Sequence, residues 1–223
     1  MCSSDLVVLT GGSAIAATEA HELADAVLQV WYPGCEGGRA LADILFGDAS
    51  PSGKMPVTVP RRTQDLPPFD DYSMRGRTYR FSDAEPLYPF GFGIGYARLK
   101  YGRLDLGATE LAEGKELVAR TTLANMADRP VKESVQCYII PPGGSQDSPR
   151  ASLVDFQKIL VPAGGSVPVE FRIASSAFDQ VDGNGRRVRR PGRYGITVGS
   201  ASPGERAVAL GAPVPAMASV NLA

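Results

Sequence analysis

Ala26-Val27-Leu28-Gln29-Val30-Trp31-Tyr32, Pro33-Gly34-Cys35-Glu36 and Gly37-Gly38-Arg39-Ala40-Leu41-Ala42-Asp43-Ile44-Leu45-Phe46-Gly47 form one continuous stretch that decides the fold of the first part of the chain. Its opening seven residues are an apolar run broken only by Gln29, the pattern of a strand buried on both faces. Pro33-Gly34 stops it. From Gly37 to Phe46 the apolar positions Ala40, Leu41, Ile44 and Leu45 recur at helical spacing, and Gly47 stands where a helix stop is expected. Upstream, Leu6-Val7-Val8-Leu9 reads as another buried strand ending in Gly11-Gly12. Thr18 to Asp25 reads as a short helix with Thr18 as its N-cap. Strand, helix, strand, turn, helix is the signature of a parallel sheet in an α/β fold.

Beyond Gly47 the texture changes twice. Residues 48 to 75 carry Ser50-Pro51-Ser52-Gly53, Pro56, Pro60, Pro67-Pro68 and Asp70-Asp71, too much proline for regular elements, and so long a loop is usually functional or wraps another domain. From about Leu99, short runs separated by turn signals predict an antiparallel β-sandwich. Among them are Leu117 to Leu123, Val131 to Ile140, Val167 to Ile173 and Tyr194 to Val198. In Val131, Glu133, Val135, Cys137 and Ile139 a period of two is partly kept, placing those residues on one face.

The 223 residues are 43% hydrophobic and 21% charged, with 23 basic against 24 acidic side chains and a formal charge of −1. A charge of that size steers neither nucleic acid nor a membrane surface, and neither is an expected partner. The one dense basic run, Arg186, Arg187, Arg189 and Arg190, reads as a solvated strand face or hairpin. Cys2, Cys35 and Cys137 fit no metal spacing and read as isolated thiols, leaving a cytoplasmic, periplasmic or secreted location open.

Several residues invite a chemical reading. Glu36 follows a strand in a Gly-rich turn, where α/β proteins place functional groups, yet at the start of a helix its carboxylate is expected to accept backbone N–H bonds. Trp31 could stack on a sugar ring, but a Trp ending a buried strand reads as core. His21, the only histidine, has no activating Ser or Cys motif nearby and reads as a surface helix residue. Asp70-Asp71 and Asp83 with Glu85 read as solvated loop charge. Gly91-Phe92-Gly93-Ile94-Gly95 lacks the strand and helix of a dinucleotide loop. Asp182-Gly183-Asn184-Gly185 reads as a tight hairpin turn.

Four ordered stretches resemble family 3 glycoside hydrolases: Trp31 to Asp48, Pro51 to Pro60, Gly76-Arg77-Thr78-Tyr79-Arg80-Phe81, and Leu87-Tyr88-Pro89-Phe90-Gly91-Phe92-Gly93-Ile94-Gly95-Tyr96. The remainder is similar to the fibronectin type III-like domain that follows this region in many members. The matching features are Asn125, Tyr138-Ile139-Ile140, Val154 to Lys158 and Pro191 to Gly199. The resemblance implies the end of an α/β-sandwich domain over residues 1–97, holding the tail of its parallel sheet, then an immunoglobulin-like, fibronectin type III-like β-sandwich over 98–223. It also implies that the intact enzyme cleaves terminal β-linked sugars with retention, acting on an oligosaccharide or aryl β-glycoside without metal or organic cofactor. Retention needs two carboxyl groups about 5 to 5.5 Å apart. In the family these come from an N-terminal (β/α)8-barrel and an earlier part of the α/β domain. No catalytic residue is therefore expected in this chain, which would work with a missing barrel. Trp31, Glu36, Arg77 and Tyr79 are the candidates for substrate contact, the last two alternating on a possible strand. The rival readings are a complementing subunit of a split glycosidase and a non-catalytic carbohydrate-binding or interaction module. The module reading would need an exposed aromatic platform, whereas Tyr138, Phe156, Phe171 and Tyr194 read as core.

Overall fold

The computed structural model describes residues 5–143 and 148–223. The expected opening unit is formed. β1 (Leu6–Leu9) and β2 (Ala26–Gln29) pair in parallel, Leu6 opposite Ala26 and Leu9 opposite Gln29, with α1 (Thr18–Leu23) crossing between them. α2 (Gly37–Leu45) follows, and Gly47 takes φ +82° just past its end, the left-handed stop that glycine tolerates. Three details differ from the sequence reading. Neither strand is buried on both faces: Leu6, Val8 and Ala26 are exposed, and Val7, Leu9, Val27 and Leu28 are only half-buried. Ala17, not Thr18, caps α1, and the Thr18 hydroxyl instead donates to the Arg61 carbonyl at 2.6 Å. The second strand ends at Gln29 rather than Tyr32, because Trp31 enters the left-handed region at φ 54°, a conformation incompatible with continuing a ladder.

Residues 46 to 98 hold little regular structure, as their proline content predicts. They contain a 3-10 turn (Thr63–Asp65), α3 (Thr78–Phe81) and one antiparallel bridge between Val59 and Tyr88. Then come β3 (Leu99–Tyr101), β4 (Asp105–Leu106), β5 (Glu110–Leu111), β6 (Leu117–Asn125), β7 (Val131–Ile140), β8 (Ser152–Val161) and β9 (Ser166–Ile173). They are followed by β10 (Gln180–Val181), β11 (Arg187–Val188), β12 (Gly192–Gly199), α4 (Glu205–Ala209) and β13 (Ala216–Leu222). One sheet runs β5-β13-β12-β7-β8; the other is built on β6, with β3 and β4 along one edge and β9 along the other. β10 and β11 make a separate two-stranded hairpin.

Between the two larger sheets lies the core, where Leu117, Leu123, Val135, Phe171, Tyr194 and Ile196 are fully buried. Along β7 the inward face predicted by period two is confirmed, since Val131, Glu133, Val135, Cys137 and Ile139 are all buried. Gln136 and Tyr138 point the other way and are buried too, because the coil before the sandwich lies over them. Phe156 departs from the expected core and stands 64% exposed. A β-bulge explains it: the register pairs Cys137 with Asp155 but Tyr138 with Leu153, leaving Val154 as the extra residue. Val154 packs on the core while Phe156, opposite Gln136, faces outward.

Tyr194, near the start of β12, donates its hydroxyl to the Arg190 carbonyl at 2.8 Å, a tyrosine corner of the kind that fixes turns in immunoglobulin-like sandwiches. Removing that bond leaves a carbonyl unpaired in a part-buried turn. Tyr194→Phe should therefore cost about 1–2 kcal/mol in urea denaturation with the far-UV spectrum unchanged, and an unmoved midpoint would contradict it.

Candidate functional site

Trp31 and Glu36 sit on the same turn, between β2 and α2. Trp31 is half-buried rather than core, and it lines an apolar cavity of about 350 Å³ together with Leu9, Ile44, Lys54, Phe92 and Ile94. Among the described residues no carboxylate lines this cavity. Glu36 occupies the N-cap of α2, where its carbonyl accepts the Ala40 N–H at 2.9 Å. Its carboxylate, expected to accept backbone N–H bonds, makes no capping hydrogen bond and faces solvent. The Gly34 carbonyl accepts the Gly37 N–H at 3.2 Å instead.

Arg77 and Tyr79 do not alternate on a strand, because Arg77 caps the short helix α3 and Tyr79 lies within it. The Arg77 guanidinium donates to the carbonyls of Pro68 (2.9 Å), Asp71 (2.6 Å) and Ser73 (3.1 Å), closing the loop that precedes it. Tyr79 stacks on Phe90 with ring centroids 4.5 Å apart, meets Tyr138 edge-on at 5.9 Å, and accepts the Leu153 N–H at its hydroxyl. The first residue braces a loop; the second joins that loop region to the sandwich.

Four of the loop carboxylates, Asp65, Asp71, Asp83 and Glu85, are taken up by neighbouring groups, while Asp70 is exposed. Asp71 accepts the Ser73 N–H at 2.8 Å, which holds its carboxyl below the usual range. Glu85 pairs with Arg61 and Asp65 with Arg62, and both carboxyls are held low by those hydrogen bonds. Asp83 pairs with Arg150. Asp65 and Glu85 do line a second cavity, but at about 50 Å³ it falls well below the roughly 300 Å³ at which ligand sites begin. Among the described residues no group of three metal-ligating side chains comes together. Cys35 is exposed and free, and burial pushes the Cys137 thiol up to about 12, away from reactivity.

A cluster of polar contacts lies where the coil meets the sandwich, and no local sequence pattern marks it. Lys54 Nζ lies 2.8 Å from Glu133 Oε1 and donates to the Gly93 carbonyl at 2.6 Å, with Glu133 buried and Lys54 largely so. Gln136 Nε2 donates to the carbonyls of Gly91 (3.0 Å) and Ser200 (2.9 Å), while its Oε1 accepts the Tyr138 hydroxyl. Phe92 packs with Ala201, Ala207 and Ala212 of the α4 region. His21, expected on the surface, is half-buried between Tyr88 (Nδ1 to hydroxyl, 3.1 Å) and Arg206 (Nε2 to Nη2, 3.4 Å). Arginine can only donate, so Nε2 accepts and the ring proton sits on Nδ1.

Comparison with known proteins agrees with this architecture. Residues 2–96 match the glycosyl hydrolase family 3 C-terminal domain, and residues 133–202 match the fibronectin type III-like domain. A xylan 1,4-β-xylosidase of Xylanibacter ruminicola is 36% identical over 198 residues, covering 88% of this chain and 22% of its own. The chain carries the C-terminal domain of glycoside hydrolase family 3. A periplasmic β-glucosidase of Salmonella typhimurium is 30% identical over 87% of this chain and 27% of its own length. A solved β-glucosidase from Erythrobacter marinus superposes at TM-score 0.81 with 32% identity, over 98% of this chain and 28% of that one. The chain thus spans about a quarter of the length of the curated relatives it matches.

The family 3 motifs acquire a physical meaning in this structure. Lys54 comes from the second of the four stretches, Tyr79 from the third, and Tyr88, Phe90, Gly91 and Phe92 from the fourth. All but Tyr88 touch the sandwich directly, and Tyr88 reaches α4 through His21 and Arg206. Much of the motif signal is thus a joint between two folds.

Proposed function

We propose that this chain is the C-terminal part of a retaining β-glycosidase of the glucosidase or xylosidase type. Its residues would serve that enzyme as scaffold, dividing near residue 97 into the α/β part and the sandwich. The supporting observation is the sizeable cavity: among the described residues its lining is apolar and holds no acid, while Asp65, Asp71, Asp83 and Glu85 of the loops are engaged by arginines and turns. Retention requires a facing pair of carboxyls, one attacking the anomeric carbon and one protonating the leaving oxygen. The proposal assigns that pair to a (β/α)8-barrel and its neighbourhood outside these 223 positions, and the substrate is an oligosaccharide or aryl β-glycoside. Trp31 and Glu36, on an accessible turn, are the candidates for sugar contact, with Arg77 and Tyr79 acting as positioning residues.

Two arms test this. The purified 223-residue chain should release no nitrophenol from aryl β-glucoside or β-xyloside, and turnover that survives repurification refutes the proposal. Fused behind the N-terminal part of one of the matched β-glucosidases, the same residues should restore the hydrolysis that the N-terminal part alone lacks. A folded but inactive fusion counts against it.

A further inference from the structure

Five arginines, at positions 186, 187, 189, 190 and 193, crowd the β10–β11 hairpin and the start of β12. Only Arg189 turns inward, where it pairs with Asp179 Oδ1 at 2.9 Å and bonds the Ser175 carbonyl and hydroxyl. Arg186, Arg187, Arg190 and Arg193 are exposed, and none of them meets a carboxylate among the described residues. Arg193 donates to the Ser219 hydroxyl at 2.9 Å. The backbone beneath them is fixed. Gln180 pairs with Val188 and Val181 with Arg187; Asp182 Oδ1 accepts the Asn184 and Arg186 N–H groups, both at 2.9 Å; and Tyr194 holds the Arg190 carbonyl. With the whole chain at −1, this is a local concentration of uncompensated charge on a braced hairpin.

We infer that this face anchors a carboxylate-bearing polysaccharide. Guanidinium forks take planar carboxylates two hydrogen bonds at a time, which a point charge such as lysine does not, and all four exposed cations are arginine. Uronate units recur along a polymer, so several individually weak contacts act together. Single-stranded nucleic acid would be expected to stack its bases on aromatic rings, and none lies among residues 180–193. The choice of a polysaccharide over another polyanion rests on the glycosidase reading above. The braced backbone keeps the ordering cost of binding low.

Affinity electrophoresis of the whole chain tests this. Gels containing polygalacturonate should retard it, and gels containing neutral hydroxyethyl cellulose should not. R186Q/R187Q/R190Q should bind polygalacturonate at least tenfold more weakly with an unchanged melting temperature, whereas R98Q, at an exposed arginine elsewhere, should bind as the parent does. R186K/R187K/R190K, which keeps the charge and loses the fork, should fall between. Raising salt from about 50 to about 200 mM should weaken retardation, as expected for exposed charges. Equal retardation of the glutamine variant overturns the inference, as does a lysine variant that binds like the parent, or DNA that retards the chain as strongly as polyuronate. The gel needs no turnover, so an active fusion without polyuronate affinity sinks this inference alone. An inactive fusion that still binds polyuronate sinks only the glycosidase reading.

Discussion

Lys54→Met should lower the stability of the chain by about 3–5 kcal/mol, the usual cost of leaving one partner of a buried ion pair alone. The side chains of Lys54 and Glu133 are 11% and 7% exposed, so the orphaned carboxylate could not simply turn to water. The damage should fall at the joint, because Lys54 also holds the Gly93 carbonyl. Lys54→Met combined with Glu133→Leu should recover most of the loss, since a buried pair replaced by packed apolar groups is often neutral or better. Urea denaturation midpoints of the single and double variants decide it. A single variant within about 1 kcal/mol of the parent would show that water reaches the pair and that its burial is unimportant.

The same pair gives a pH dependence with a definite sign. Burial raises the Glu133 carboxyl above its ordinary value of 4.5, and Lys54 pulls it part of the way back. A carboxyl raised on folding binds its proton more tightly in the native state. That contribution to stability is complete below pH 4.5 and is lost as pH climbs through the native value. Without Lys54 the loss is larger. The gap between Lys54→Met and the parent should therefore be widest near neutrality and narrow as pH falls toward 4.5. A gap that widens on acidification would reverse the assignment of which charge is left stranded.

What could be read from the sequence was what repeats locally. The apolar run of β2, the spacing of Ala40, Leu41, Ile44 and Leu45, and the alternation along β7 all express a side-chain period within ten residues. Strand β13 had no such signal, because Ala216-Met217-Ala218-Ser219 lacks the β-branched and aromatic residues that mark strands. The left-handed Trp31 had none either: nothing around a bulky residue announces a positive φ. Contacts at the joint were hidden for a different reason. Lys54 meets Glu133, Gly91 meets Gln136 and His21 meets Arg206 across separations of tens to hundreds of residues, where no period operates. Glu36 shows the converse error. Its place at the helix start was legible, but the direction of its carboxylate depends on a rotamer that sequence does not set. The family motifs were legible as a pattern before their role as a joint could be, because a motif records which residues recur and not what they touch.

Gly91→Ala should be the most damaging single-methyl change in the chain. Gly91 takes φ +78°, a region that costs a non-glycine residue about 1–2 kcal/mol, and an added Cβ would overlap Gln136 Oε1. A surface glutamine would swing aside. Gln136 cannot do so freely, because its amide donates to two carbonyls and accepts the buried Tyr138 hydroxyl, whose ionisation burial already pushes far up. Displacing it leaves buried polar atoms unpaired at about 1–3 kcal/mol each, so a total of about 3–5 kcal/mol is expected. The loss should be regional. Gln136 and Tyr138 lie on the outer face of β7, so the sandwich core around Val135, Phe171 and Ile196 should survive while the coil lifts off. Hydrogen exchange should then rise at Met55, Val59 and Phe92, whose amides are bonded within the coil, and stay slow along β6 and β9. Uniform acceleration through both regions would mean that coil and sandwich unfold as one unit, and that the joint at Gly91 is no boundary at all.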